Sequence, residues 1–209
     1  MPLDLAQLVT PSHTAVLVME CQEGIVGAGA ALGALGEAVQ RHGTIGHIAR
    51  VLDAARAARV PIFYLTAARR PDSAGNSANC LLLALGRKGE PLLPGSPRQA
   101  VVAALAPQPG DWVLTRFHGI TPFHAGELDQ LLRNLGVRTV VATGVSVNVG
   151  ITGLTIEAVN AGYQVVIPRQ CVAGTPDDYV EAVFANTLRL LATVANADEV
   201  VATWREAKA

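Results

Sequence analysis

An acid at position 20, a guanidinium at position 116 and the turn Gly144-Val145-Ser146-Val147-Asn148-Val149-Gly150 are the features of this sequence that could do chemistry. Each follows a short apolar run, as a side chain does when it sits just past the end of a buried strand. A carboxyl group there needs a reason, because burying an unpaired carboxylate is costly. It serves either as a general acid or base or as half of a structural ion pair with Arg116. Arg116 can stabilise negative charge or clamp a carboxylate through two parallel hydrogen bonds. It keeps its proton near neutral pH, so it is no proton shuttle. The turn offers Ser146 and Asn148 but no obvious nucleophile. Cys21 lies next to the acid, yet successive strand residues point to opposite faces, so it reads as a small buried hydrophobe. His118 and His124 follow Arg116 and are either acid/base groups or surface residues. Arg69 and Arg70 could meet an anion or simply be solvated.

Short apolar runs alternate with amphipathic stretches and set where these groups stand. Strands are expected at 14–20, 61–67, 111–116, 138–144 and 163–169, with a last short one near 199–202. Helices are expected at 43–60, 96–105, 124–136, 148–162 and 175–193 from three- and four-residue apolar spacing and from end signals. The strands are nearly unbroken Val, Ile and Leu, the pattern of a parallel sheet covered on both faces. Such sheets place ligands at the carboxyl ends of their strands. The positions to inspect are therefore 20–22, 66–70, 116–118, 144–150 and 169–171. Two stretches break the pattern: the Gly/Ala-rich 27–43 and the long connection 68–95, whose length suits a lid, a binding loop or a subunit contact.

The 209 residues fit one domain, 1–209, and half of them are apolar, enough for a sizeable core. A net charge of −1 gives no reason to expect nucleic acid or an anionic membrane as partner. Three cysteines without metal-ligand spacing suggest a reduced, cytoplasmic protein. The first residues carry no signal-peptide pattern. No apolar run reaches the ~20 residues of a spanning helix.

Three blocks resemble the isochorismatase-like (cysteine) hydrolases. TAVLVMECQEGIV is similar to the family's opening strand, which leads into Asp-x-Gln. DWVLTRFHGITPFHAGELDQLLRNLGVRTVVATGVSVNVG is similar to its central block, from a strand ending in Lys to a Gly-Val-x-Thr-like turn. ITGLTIEAVNAGYQVVIPRQCVAGT is similar to the helix and strand that follow. The resemblance covers about residues 12–175 and implies an α/β fold: a six-stranded parallel, Rossmann-like sheet in a three-layer α/β/α sandwich. Most members of the family use an Asp–Lys–Cys triad, whereas true isochorismatases lack the Cys and cleave a vinyl ether by acid catalysis. Here the Asp position falls on Glu20, the Lys position on Arg116 and the Cys position on Gly150. Gln22 keeps the family's Gln and Phe123 its loop Phe, with one extra residue between Arg116 and Phe123.

A thiol at a helix start would be activated by exposed N–H groups and the helix dipole. Gly150 removes that route and leaves the helix start free to take an anion or a carbonyl oxygen. The glycine either makes room for a bulky substrate or remains from a lost active site. The expected catalytic residues are Glu20 and Arg116. The expected substrate-binding residues are Gln22, His118, Phe123, Val145, Ser146, Val149 and Gly150. The Val145–Ser146 peptide bond is a candidate non-proline cis bond. Some relatives hold a metal through His residues after the second strand; 66–79 has no His, so no metal and no cofactor is expected. The resemblance makes a homo-oligomer expected. Two functions stay open: a non-thiol hydrolase of a small anionic metabolite, or a pseudoenzyme that binds a ligand or another subunit.

Overall fold

The computed structural model describes residues 4–28, 30, 33–124 and 126–207. Positions 29, 31 and 32 of the 27–43 stretch, and 125 of the 124–136 stretch, lie outside them. Strands β1 (Thr14–Met19), β2 (Ile62–Ala67), β3 (Trp112–Arg116), β4 (Thr139–Val145), β5 (Gln164–Pro168), β6 (Val172–Ala173) and β7 (Thr193–Ala195) form one sheet. Its order is β3-β2-β1-β4-β5-β7, with the two-residue β6 paired to the tip of β4. Every pairing is parallel. All strands therefore end at one rim, which is where the chemistry-bearing residues collect.

Alternation along the strands divides the interior into two layers. Val16 and Val18 of β1 and Val141 and Val145 of β4 face one layer, filled by Ile48, Val51 and Leu52 of the helix Thr44–Ala57 and by Val200 and Trp204 of Ala197–Glu206. Ala15, Leu17 and Met19 with Val140 and Ala142 face the other. There they meet Leu128 and Leu132 of Leu128–Asn134, Leu154 and Ala158 of Thr152–Asn160, and Val180 and Val183 of Asp177–Val183. The expected three-layer sandwich is thus present. No helix among the described residues is long and apolar enough to cross a membrane.

Three elements differ from the sequence reading. Residues 199–202 are helical, inside Ala197–Glu206, and the last strand is Thr193–Ala195. Asn196 and Glu199 close a reciprocal capping box there, a start signal that outweighs the β-branched pair Val200-Val201. Residues 96–105 form turns and a 3-10 turn, Ala103–Leu105, instead of one helix. Their backbone is taken up elsewhere: Val102 N–H donates to Cys21 O at 2.9 Å, and Ala100 O and Arg98 O accept from Glu23 and Gly24 at 2.9 and 2.8 Å. The stretch 148–162 begins with a π-helical turn, Val147–Ile151, before the helix Thr152–Asn160.

Leu17 lies at the centre of the sheet and is fully buried. Leu17→Ala is expected to cost about 2–5 kcal/mol, seen as a lower urea midpoint with an unchanged m-value. A loss below ~1 kcal/mol would mean that this strand is not where the core is tightest.

Candidate active site

Glu20 is the first residue past β1, in the left-handed region at φ 52°. Its N–H donates to Leu65 O at 3.0 Å, which fixes the backbone to β2 before the chain leaves the sheet. The conformation also explains Cys21. Met19 belongs to one core layer and Cys21 to the other, so the break in extended geometry at Glu20 turns Cys21 away. The sequence reading reached the same orientation from simple alternation, which does not hold at this residue. Burial, then the charge of Glu20, then Cys171 push the Cys21 thiol up to about 12. Cys171, buried in the same layer, is also pushed up to about 12, chiefly by burial. Cys80 is exposed.

Arg116 ends β3, and β2 lies between it and β1. Two strand spacings separate β1 from β3, about 9–10 Å, and the two long side chains meet across them: Nη2 of Arg116 pairs with Oε1 of Glu20. Arg116 is 8 % and Glu20 19 % exposed. Nε and Nη1 of Arg116 are buried and have no hydrogen-bond partner among the described residues. Arg116 also lines a cleft of about 290 Å³ with Leu65, Thr66, Thr115, Pro122 and Glu127 among its walls. No cysteine lines it. Thr66 and Thr115 share a hydrogen bond of 2.8 Å between their hydroxyls. The strand-end rule pointed to Thr66; nothing in the sequence showed that parallel register would set Thr115 beside it.

Two glycines let the backbones crowd at the next strand end. Gly144 pairs with Met19 and has φ 105°; a Cβ there would stand 2.1 Å from Met19 O. Gly150 is buried, and a Cβ on it would stand 2.8 Å from Val145 O and 3.1 Å from Met19 Cε. The space a side chain would take at 150 is therefore filled by the protein itself. The Val145–Ser146 bond is cis. Ser146 O accepts from Ile151 N–H at 2.9 Å, closing the turn. Ser146 and Val149 are half-buried, and the Val145 side chain belongs to a core layer. Asn148 Oδ1 is a buried acceptor without a hydrogen-bond partner among the described residues.

The remaining expected residues are placed as follows. Gln22 is fully buried, and its amide is spent on backbone: Oε1 accepts from Ala67 N–H at 2.7 Å, and Nε2 donates to Ala67 O at 2.9 Å and Gln99 O at 2.8 Å. It joins the ends of β1 and β2 to the 96–102 segment. Phe123 turns its ring toward Tyr163, 5.8 Å between centroids, and packs on the helix layer. His118 and His124 are exposed. Arg70 binds Asp72 through Nε and Nη2 at 3.0 and 2.7 Å, and Arg69 donates to Gly86 O. The described residues contain no group of three or more His, Cys, Asp and Glu side chains that could hold a metal ion.

Comparisons with known proteins agree with this architecture. The family model "Isochorismatase domain" matches residues 14–199. The ureidoacrylate amidohydrolase RutB of Rhizobium rhizogenes is 30% identical over 213 residues, 94% of this chain and 85% of that protein. The phenazine biosynthesis protein PhzD of Pseudomonas fluorescens is 28% identical over 202 residues, 96% of this chain and 91% of that protein. The crystal structure of a cysteine hydrolase from Pseudomonas syringae pv. phaseolicola superposes with a TM-score of 0.83 at 25% identity, covering 99% of this chain and 100% of that one.

Two outcomes follow. Gly150→Ala should lower stability by about 1–3 kcal/mol through overpacking, measured by urea unfolding; an unchanged midpoint would show that the turn opens freely. The buried thiols stay neutral in the folded chain well above the pH, about 9, at which they ionise once unfolded. Their contribution is complete below that pH and is lost as pH rises toward 12. At pH 8 iodoacetamide should add one label per native chain, at Cys80, and three after denaturation; a second label on the native chain contradicts the placement of Cys21 and Cys171.

Proposed function

The chain belongs to the isochorismatase-like hydrolase superfamily, and on that footing we propose that it hydrolyses a small anionic metabolite without a thiol nucleophile. The observation that carries this reading is Arg116: nine-tenths buried, paired through Nη2 to Glu20, with Nε and Nη1 unpartnered in a residue that lines a cleft free of sulfur. Buried guanidinium N–H groups without acceptors are costly. An oxygen of the substrate, from its carboxylate or from the carbonyl to be attacked, supplies them.

The chemistry needs no covalent intermediate. Glu20, paired with the Arg116 guanidinium, accepts a proton from water while the water oxygen attacks the carbonyl carbon. The carbonyl π electrons move onto oxygen, and Arg116 stabilises that negative charge. The tetrahedral species collapses, the bond to the leaving group breaks, and Glu20 returns its proton to that group. The relative named an amidohydrolase supports an amide as the bond cleaved. A second reading, a ligand-binding protein without turnover, has its own support. Glu20 is already engaged by Arg116, and the room over Gly150 is filled.

Turnover of ureidoacrylate and a panel of short amides and esters separates the two. The hydrolase reading expects activity that survives iodoacetamide and falls by about 100-fold or more in Glu20→Gln. Activity destroyed by alkylation but kept in Glu20→Gln would overturn the assigned roles. A panel compound that raises the melting temperature while none is turned over would establish the second reading.

A further inference from the structure

The cleft beside Arg116 draws its lining from two parts of the chain. Strands β2 and β3 supply Leu65, Leu114 and Arg116; the segment 122–128 supplies Pro122, Glu127 and Leu128. Leu65, Pro122 and Leu128 are buried and Leu114 half-buried, so much of the lining is apolar. Arg116 and Glu127 are its charged residues.

Glu127 is exposed, and among the described residues its carboxylate makes no hydrogen bond and no ion pair. It stands at the cap position of the helix Leu128–Asn134, where its side chain accepts no capping bond. Cap positions favour Ser, Thr, Asp and Asn, so the helix start does not account for a Glu. Charge balance in the cleft gives it a use. Glu20 already offsets the charge of Arg116. A substrate carboxylate bound at Arg116 therefore leaves an excess of negative charge, and Glu127 adds to it. A cationic or N–H-bearing group on the same substrate removes that excess and gives Glu127 a donor.

Given the proposed binding of a substrate oxygen at Arg116, we propose that Glu127 determines specificity: it takes an amino or other N–H-bearing group at the opposite end of the same substrate. The substrate class is then a short chain with an oxygen acceptor at one end and a nitrogen donor at the other, and dicarboxylates are rejected. The cleft of about 290 Å³ sets the length. At the ~30 Å³ that a water occupies in the liquid, it admits roughly ten non-hydrogen atoms.

Chemical-shift titrations of the full chain with pentanoate, 5-aminopentanoate and glutarate test this. They compare the wild type with Glu127→Gln, Glu127→Lys and Glu206→Gln; the last removes the same charge from a helix that packs on the other core layer. Both glutamates are exposed, so all variants should keep the wild-type far-UV circular dichroism. The wild type and Glu206→Gln are expected to prefer 5-aminopentanoate over glutarate by about fivefold or more, with pentanoate between them. Glu127→Gln should erase most of that preference and Glu127→Lys reverse it. A wild type without the preference, a ranking unmoved in Glu127→Gln, or one moved equally by Glu206→Gln would overturn the proposal. Failure of all three probes to bind would overturn it too, and with it the oxygen site at Arg116. The readout does not depend on turnover: the expected ranking in a chain that hydrolyses nothing removes the hydrolase reading alone, and turnover with a flat ranking removes the role of Glu127 alone.

Discussion

The ion pair between Glu20 and Arg116 is the constraint on which the rim of this sheet depends. It joins the ends of two strands that are not neighbours, reaching over β2. Two charges withdrawn from water hold each other there, and removing either one leaves the other uncompensated, typically worth about 3–5 kcal/mol. The span explains the residue types. Glu is longer than Asp by a methylene, and a guanidinium presents several donors, so one nitrogen can bind Glu20 and leave others for a further acceptor.

The backbone around the pair is arranged for contact without a nucleophile. Glu20 leaves the strand in left-handed geometry, which sends Cys21 to the opposite layer, where burial keeps its thiol protonated. Gly144 on the neighbouring strand and Gly150 in the turn that follows it let Met19 and the Val145 carbonyl approach to distances that a Cβ would forbid. Gly150 is thus part of a closed packing arrangement. The turn was built around a residue with no side chain, so replacing the residue alone does not recreate a thiol site. In the proposed reading, chemistry at this rim falls to the carboxylate, the guanidinium and water.

Gln22 shows how the same rim is stiffened. Its amide makes its bonds to main-chain groups of β2 and of the 96–102 segment, in place of a ligand. That segment consequently runs beside the chain after Glu20 instead of forming the helix that Ser96 and Pro97 announce. Local helix signals lost to a set of tertiary hydrogen bonds, a competition that residue spacing alone does not display.

The order of apolar and amphipathic segments was enough to set the layers. Unbroken apolar strands alternating with amphipathic helices admit one economical burial scheme, and the strand-end rule then placed Glu20, Arg116 and the 144–150 turn at one rim. Which of those groups touch was settled by the packed fold. The span across β2, the Thr66–Thr115 contact, the use of Gln22 as a backbone clamp and the turning of Phe123 toward Tyr163 all depend on register and side-chain direction. These are set by packing between segments far apart in the chain. Periodicity reports which face of an element is buried; it carries no information on what that face, or the loop beyond it, is buried against.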